Sequence, residues 1–414
     1  MSQRIRQGMQ QRHTRRALWG IGLAGLVARV LFVLATQHIG GAAALDAATY
    51  HGIAVNLIEG RGFSQDGINP SCFVAPLYPF FLAAVYFLAG VQPLLVELVQ
   101  AVLGSVTAWL LYLLVRSYFD HGPALIAFVL ALFMPELVVL NTFLYTETVF
   151  IFLFVATLWL AVRALAAPSW KRLAIAGLVA GLVTMTRGVT LFLPVLLGIA
   201  LLLRYRPRAV LRQVTLYGLF FVMPIIPWAI RNYVVFEAFV PIAVGTGDVM
   251  WTGNYLPLDG KYSYGETMAL MDSMTAGMNQ VQRERRLRQE AIDNIVEQPW
   301  ATLGLMGRKM IRFWFWIYES APTGGKRQGG TAVQLVLALS YYPLLLLSVF
   351  GLWLSRRKWR ELLLIYLMIG YYTALHVLML VVPRYRIPML PLLFLFAGVA
   401  LWELWRRWQS RLAA

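Results

Sequence analysis

The chain is organised around the stretch from Leu45 to Ala84, which reads LDAATYHGIAVNLIEGRGFSQDGINPSCFVAPLYPFFLAA. This stretch follows the first apolar segment directly and begins with a carboxylate, Asp46. An amphipathic run, a turn at Gly60–Gly62 and a proline-punctuated apolar run, Pro76–Pro79, come next. An ionisable group at a membrane face beside an amphipathic segment indicates a functional site. We therefore interpret the rest of the chain as a scaffold that holds this loop on the side of the membrane away from the cytoplasm.

The composition predicts a polytopic membrane protein. Of the 414 residues, 59% are hydrophobic and 13% are charged, whereas about a quarter of the residues of an ordinary soluble domain are charged. One soluble core cannot hide so much apolar surface. Because the apolar runs are long and the strand signal is weak, we expect an all-α protein rather than a barrel.

The net charge of +17 does not indicate nucleic-acid binding. Lysine and arginine residues occur in short clusters between apolar runs, as residues that set membrane topology do. The single cysteine, Cys72, excludes an intrachain disulfide framework and a cysteine-based metal site. We interpret Cys72 as a small apolar residue.

About ten apolar segments are long enough to be interpreted as membrane spans. Every second junction between them is rich in arginine. This pattern predicts that both termini lie on the cytoplasmic side of a bacterial-type plasma membrane. The run at 76–89 is short and carries Pro79, so we expect an interfacial or re-entrant helix there. The predicted spans are 18–36, 93–115, 123–140, 148–162, two within 173–203 that break at Arg187, 214–230, 333–354, 362–382 and 387–405.

The pattern divides the chain into four parts. A basic cytoplasmic N-terminus (1–17) precedes a transmembrane core (18–232), which includes the first outer loop (38–92). An extracytoplasmic segment (233–330) and the C-terminal spans (331–414) follow. Within 233–330 we expect turns rich in glycine, proline and asparagine over 245–260, then a helix over 266–296 and an amphipathic headgroup-level helix over 303–316.

Charged residues on the outer face define the candidate chemistry. The acids there are Asp46 and Glu147, and several arginines break the positive-inside rule, namely Arg187, Arg231, Arg384 and Arg386. A carboxylate within a ring of cations can activate an acceptor while the cations hold a phosphate leaving group. Amphipathic helices beside the bilayer would admit a lipid that carries this phosphate.

Several motifs resemble those of the GT-C glycosyltransferases that use polyprenyl-phosphate sugars. This group includes the protein O-mannosyltransferases (family 39) and the bacterial aminoarabinose transferases. The order and the predicted membrane side of the motifs agree over nearly the whole chain. The motifs are Asp46 with Tyr50, Gly60–Gly62, Ala75–Pro79, Tyr145–Glu147, Gly177–Arg187, Pro227–Asn232 and Arg384–Pro388.

The resemblance implies a GT-C-like fold and a role for each candidate residue. It implies that Asp46 is the catalytic base and that Arg187, with Arg384 or Arg386, binds the donor phosphate. The mannosyltransferases often carry an Asp-Glu pair in the first loop, whereas here Ala47 follows Asp46, so Glu147 is our candidate second acid. Further candidates are Arg61 and Lys309 for the donor phosphate, and Tyr50, Tyr78, Tyr145 and His376 for substrate contacts. No spacing of acids and histidines demands a metal, and a divalent cation between Asp46 and Glu147 stays open.

Each candidate residue also has a structural alternative. Asp46 and Glu147 could cap helices, and the outer arginines could bind lipid headgroups. The sequence favours an inverting transferase that moves a sugar from a polyprenyl-phosphate donor to a glycan, lipid or protein acceptor outside the cytoplasm. The alternatives are a flippase or transporter for lipid-linked saccharides and a non-catalytic envelope-assembly protein. We find no internal repeat, and the charges lie at one face rather than at the midplane, which disfavours a transporter.

Overall fold

The protein is helical throughout the part that the computed structural model describes, which comprises residues 2–36, 45–261, 264–315 and 331–413. Besides the helices, these ranges contain one isolated β-bridge, between Ser64 and Pro70. The α-helices are α1 (Ser2–Ala35), α2 (Leu45–Ile58), α3 (Leu77–Ala89), α4 (Pro93–Arg116), α5 (His121–Phe133), α6 (Pro135–Val139), α7 (Glu147–Ala166), α8 (Trp170–Thr186), α9 (Leu193–Leu202), α10 (Pro207–Val222), α11 (Ile225–Phe236), α12 (Thr246–Asn254), α13 (Tyr264–Met274), α14 (Gln280–Glu297), α15 (Pro299–Phe315), α16 (Thr331–Leu354), α17 (Leu363–Leu378) and α18 (Leu390–Ala413).

The chain is an integral membrane protein, and every predicted span coincides with a helix. Within the described residues, five helices are long and apolar enough to cross a bilayer, or up to seven when each of two bent pairs counts as one span. Gly188–Leu202 and Leu363–Leu378 are apolar but shorter. Helices therefore lie at the predicted positions, but the predicted number of ten spans is not confirmed.

Prolines explain where the long helices bend. The pair α5 and α6 bends by 49° before Pro135, and the pair α10 and α11 bends by 52° at Pro224. Proline lacks the amide donor that a continuous helix needs. Pro79 does not interrupt α3, because it lies in the first turn of this helix, where no intrahelical donor is lost.

The helices pack as neighbours in chain order and close with α18. Helix α4 contacts α5 and α7, α8 contacts α7 and α10, and α18 contacts both α5 and α16. Where α16 crosses α18, a Cβ on Gly351 would lie 1.8 Å from the Phe396 carbonyl oxygen, so only glycine fits at this position. Small residues at such crossings allow the close backbone approach on which membrane helix packing depends.

The outer segment differs in part from the prediction. The stretch expected to form turns contains helix α12, and the helix expected over 266–296 is divided into α13 and α14. The division follows from Asn279, whose side chain caps the first turn of α14 in a reciprocal arrangement with Gln282. The glycines of α12 serve packing instead, since a Cβ on Gly253 would meet the Met379 carbonyl oxygen at 1.7 Å. Residues 38–44 of the first loop and Trp316, the end of the expected amphipathic helix, lie outside the described residues.

The connections define two ends of the helical bundle. One end carries the start of α2, the start of α7 and the segments that follow α8 and α17, and we call it the Asp46 end. The opposite end carries the α4–α5 and α16–α17 connections and the last turns of α18. Residues of the first loop and of α12–α15 pack above the Asp46 end through contacts described below.

Candidate active site

Asp46 lies in the first turn of α2 with its side chain 47% exposed. Its Oδ2 accepts a hydrogen bond from Arg384 Nη2 at 2.5 Å. A carboxylate in this position is favoured by the partial positive charge of the helix N-terminus. Asp46 is therefore both paired with an arginine and accessible to solvent.

Glu147 is the first residue of α7 and is 2% exposed. Its Oε1 accepts from Arg187 Nη1 at 3.0 Å and lies 3.1 Å from Arg384 Nε. Its Oε2 accepts from the Thr146 hydroxyl at 3.3 Å. A buried carboxylate is stable only when cations and donors surround it, so Glu147 serves to hold the two arginines in place.

Arg384 connects the two acids through one guanidinium. Its Nη2 contacts Asp46, its Nε contacts Glu147, and its Cζ lies 4.5 Å from the centre of the Tyr145 ring. The planar fork of an arginine can reach two carboxylates or one phosphate in this way. Arg384 thus has the bridging position between Asp46 and Glu147 that the sequence left open for a divalent cation.

Aromatic residues form the walls of this cluster. The Arg187 guanidinium lies 5.2 Å from the centre of the Tyr385 ring, and Tyr50 meets Tyr78 edge-on at 5.2 Å. Burial, together with the carboxylates of Asp46 and Glu147, raises the pKa of Tyr50 above its ordinary value. Its phenol therefore stays protonated and can donate a hydrogen bond.

Two further candidates lie behind the first row of side chains. The Tyr78 hydroxyl donates to Gln100 Oε1 at 2.9 Å, and Gln100 in turn donates to the carbonyl oxygens of Asn141 and Phe143. His376 is buried, with Nδ1 2.8 Å from the Tyr372 carbonyl oxygen. Tyr78 and His376 therefore support the walls rather than face the open side of Asp46.

The structure does not bring three predicted phosphate ligands to the cluster. Arg386 is 2% exposed, lies 3.8 Å from Glu136 Oε1 and covers the Tyr341 ring. Arg384 and Arg386 lie two residues apart in a 3₁₀ turn with three residues per turn, so their side chains leave the turn in different directions.

Arg61 and Lys309 are likewise engaged elsewhere. Arg61 pairs with Glu59 and donates to Asn56 Oδ1 at 2.8 Å. Lys309 is fully buried and donates to Gly253 O at 2.9 Å, Asn254 Oδ1 at 3.2 Å and Met379 O at 3.0 Å. These three hydrogen bonds use all the donors of the Lys309 ammonium group. Lys309, Arg61 and Arg386 thus have their contacts outside the cluster of Asp46 and Glu147.

Several residues near the cluster were not chosen from the sequence. Tyr372, Tyr385 and Phe150 line it, but tyrosine and phenylalanine are too common in this chain to stand out. Gln100 is different, since a buried polar residue within a membrane helix is itself a signal. That signal would have identified Gln100 as the hydrogen-bond partner that supports Tyr78.

Arg231 holds the first loop above the cluster. It donates to the carbonyl oxygen of Ser71 at 2.7 Å and lies 4.9 Å from the centre of the Trp228 ring. An apolar groove of about 400 Å³ begins beside it and ends near Met185, two residues before Arg187. The groove is lined by Pro76, Leu77, Phe80, Leu182, Met185, Pro224, Pro227, Trp228 and Arg231.

The side chains that could ligate a metal do not gather at this end of the bundle in the part of the chain that the structure describes. Over the described ranges, no group of three or more histidine, cysteine, aspartate or glutamate side chains is arranged to hold a metal ion. The acids at the cluster are the pair Asp46 and Glu147, each with an arginine at hydrogen-bond distance.

The helix arrangement resembles that of solved membrane glycosyltransferases. Residues 73–230 match the family model described as dolichyl-phosphate-mannose-protein mannosyltransferase. A comparison with curated proteins found no match.

Solved structures of two membrane glycosyltransferases resemble the whole described fold. The oligosaccharyltransferase AglB from Archaeoglobus fulgidus, in complex with an inhibitory peptide and a dolichol-phosphate, superposes with a TM-score of 0.57 over 95% of this chain and 51% of its own, at 13% identity. Its apo form gives 0.55 over 94% and 52%, at 15% identity. ArnT from Cupriavidus metallidurans, bound to undecaprenyl phosphate, gives 0.50 over 92% and 59%, at 15% identity. The chain thus spans between half and three fifths of the length of these proteins.

Proposed function

We propose that the protein is a glycosyltransferase that moves a sugar from a polyprenyl-phosphate donor to a hydroxyl-bearing acceptor on the outer side of the membrane. The observation that carries this proposal is the Arg384 bridge, which joins an exposed carboxylate to a buried one beside a second arginine. The structural neighbours are bound to dolichol-phosphate and to undecaprenyl phosphate, which supports a lipid-linked donor here.

Arg187 and Arg384 would bind the donor phosphate. Both are anchored by the buried Glu147, so little side-chain entropy is lost when an anion arrives. Two guanidinium groups neutralise the charge that grows on the phosphate oxygen as it leaves. The apolar groove between α3, α8 and α11 lies where the first units of a polyprenyl chain could enter from the bilayer.

Asp46 would act as the general base in a single displacement. As the acceptor oxygen attacks the anomeric carbon, the bond from that carbon to the phosphate oxygen breaks, and the acceptor proton passes to the Asp46 carboxylate. Both electrons of the broken bond leave with the lipid phosphate, which Arg187 and Arg384 stabilise. A single displacement of this kind inverts the anomeric configuration.

The distribution of charge supports an orientation of the site toward the outer side of the membrane. Arginine clusters mark the end of the bundle opposite to Asp46, which the positive-inside rule assigns to the cytoplasm. The site would then face the outer side of a bacterial-type plasma membrane. The acceptor would be an envelope glycan, a lipid or a protein.

The Asp46→Asn variant tests this proposal in cells that express the full chain. We expect the glycan product, measured by mass spectrometry of the cell envelope, to fall by at least about a hundredfold, because a general base contributes about that much or more. Donor binding by the purified variant should stay within about threefold, since an asparagine still accepts a hydrogen bond from Arg384.

A matched acid serves as the control. Glu266 is exposed on α13, so Glu266→Gln removes one carboxylate away from the cluster and should leave the product unchanged. Full product from Asp46→Asn would contradict the role of Asp46 as base. No difference between the glycans of expressing and non-expressing cells would contradict the transferase itself.

A further inference from the structure

Besides the apolar groove, the protein has a polar cleft at the end of the bundle opposite to Asp46. It has a volume of about 670 Å³ and lies between the α4–α5 connection, the end of α16 and the later turns of α18. Trp402 in its wall follows Leu390 by twelve residues, which is roughly 18 Å along a helix. The cleft therefore lies about a bilayer leaflet away from the candidate active site and takes no part in it.

Charge in this cleft is positive on balance. Arg116, Lys358 and Arg406 contribute cations, while Asp120 and Glu403 contribute carboxylates. Glu403 Oε1 accepts from Arg407 Nε at 2.8 Å and is thereby neutralised. The three cations are then opposed by the carboxylate of Asp120 alone among the residues that line the cleft. The remaining positive charge favours an anionic ligand.

Backbone contacts hold two of these cations at the same turn. Arg116 Nη1 donates to the Phe119 carbonyl oxygen at 3.1 Å, and Lys358 Nζ donates to the Tyr118 carbonyl oxygen at 2.8 Å. Lys358 also lies 5.0 Å from the centre of the Phe119 ring. An ammonium has three donors and a guanidinium has five, so both side chains keep donors for a ligand. The positions of the two cations are set before any ligand arrives.

Tyr118 forms part of the wall of the cleft and is 7% exposed. Its hydroxyl is buried behind this wall.

The surroundings of the cleft favour a lipid over a free anion. Apolar side chains on the flanking helices are exposed, with Trp353 at 53% and Leu404 at 44%. Trp402 stacks near Trp405 with ring centroids 4.6 Å apart, and tryptophans concentrate where headgroups meet acyl chains. Basic pockets between membrane helices bind acidic headgroups. We propose that this cleft binds the headgroup phosphate of an anionic phospholipid.

Stabilisation by lipid tests the assignment in the purified full-length protein. The melting temperature is followed in mixed micelles against the mole fraction of phosphatidylglycerol or of phosphatidylcholine. We expect half-saturation at a mole fraction at least about tenfold lower for phosphatidylglycerol, since cations at a membrane surface favour anionic lipid. The triple variant Arg116→Gln, Lys358→Gln, Arg406→Gln should reduce this preference to less than about threefold, and Lys358→Arg should retain it.

A matched triple variant separates the cleft from general surface charge. Arg172, Arg208 and Arg212 are exposed cations at the same end of the bundle and do not line the cleft. Replacing them by glutamine should leave the lipid preference intact. Equal loss in both triple variants would overturn the proposal, as would an unchanged preference in the cleft variant.

Two further arms keep the test decisive. Inorganic phosphate at millimolar concentration should not raise the melting temperature, and stabilisation equal to that by phosphatidylglycerol would assign the cleft to a soluble anion instead. If the triple variant fails to fold, the single variant Arg406→Gln at the exposed end of α18 takes its place, with an expected loss of about threefold or more in lipid preference.

Discussion

Arg384 is the residue that links the parts of the candidate active site. Its guanidinium contacts Asp46 and Glu147 at the same time, and it lies over the Tyr145 ring. A lysine has the same charge but presents a single ammonium on a flexible stem. The geometry of the site therefore depends on arginine at this position and not merely on a cation.

The Arg384→Lys variant is expected to bind the donor more weakly. Loss of one or two charge-assisted hydrogen bonds to the phosphate should raise the donor KM by about tenfold to a hundredfold. The melting temperature should change little, because the positive charge between the acids is kept. Steady-state kinetics with a polyprenyl-phosphate sugar measures the effect.

Arg386→Lys is the control for this prediction, because it makes the same change two residues further along. Arg386 pairs with Glu136 and does not contact the cluster. Its substitution should leave the donor KM within about twofold in the folded protein. Equal effects of the two substitutions on KM would show that Arg384 has no special contact with the donor.

At the residue scale, charge made the candidate site predictable. Asp46, Glu147, Arg187 and Arg384 stand out because ionisable groups are rare at the ends of apolar helices, and the structure brings these four together. Arg386 was misassigned, since the sequence shows proximity along the chain and not the direction of a side chain.

At the element scale, Arg29 of α1 holds the bent pair α5 and α6 together. Its guanidinium donates to the carbonyl oxygens of Ala131, Leu132 and Leu137 and to Asn141 Oδ1, at 2.6 to 3.2 Å. These groups include carbonyls that the bend leaves without intrahelical donors. Arg29 is thus paired within the bundle.

The Arg29→Met variant is expected to destabilise the protein. It leaves several buried oxygen acceptors unsatisfied, which should lower the free energy of unfolding by about 3 kcal/mol or more. Denaturation of the purified protein in detergent measures this loss. Arg16→Met, at an exposed position of the same helix, should change the stability by less than about 0.5 kcal/mol.

Helix α14 fixes the first loop through Gln280. Its Oε1 accepts from the Cys72 amide at 2.9 Å and from the Ser71 hydroxyl at 3.3 Å. Cys72 is fully buried, and this burial raises the pKa of its thiol to about 11. The thiol is therefore protonated and shielded while the loop is docked, so its alkylation reports on undocking.

The Gln280→Ala variant is expected to speed alkylation of Cys72 by roughly tenfold at pH 8. That factor corresponds to the loss of about one net hydrogen bond from the docked state. Mass spectrometry after timed exposure to iodoacetamide gives the rate. Gln289→Ala on the same helix, where the amide contacts exposed Asp293, should leave the rate unchanged.

At the scale of the whole molecule, the positions of the membrane helices follow from hydropathy and arginine clusters. The break before α9 at Arg187 and the bend at Pro224 fall where charge and proline interrupt apolar runs. Helix α12 was missed because its glycines resemble turn residues. Their actual function is to let α12 approach the Met379 backbone, which depends on residues more than 120 positions away.

The topology yields a prediction that cysteine labelling can check. In a Cys72→Ala background, Ile68→Cys in the first loop should react with a membrane-impermeant maleimide in intact cells, because Ile68 is 84% exposed. Ser410→Cys, near the end of α18, should react only after the membrane is permeabilised. Reaction of Ser410→Cys in intact cells would place the C-terminus outside.

The balanced quartet of two acids and two arginines also constrains how this protein can diverge over evolutionary time. Glu147 has almost no access to water and is the carboxylate that pairs with Arg187. Replacing Glu147 alone would leave Arg187 without this partner, at a cost of several kcal/mol. Related sequences should therefore keep Glu147 and Arg187 together or exchange them as a pair.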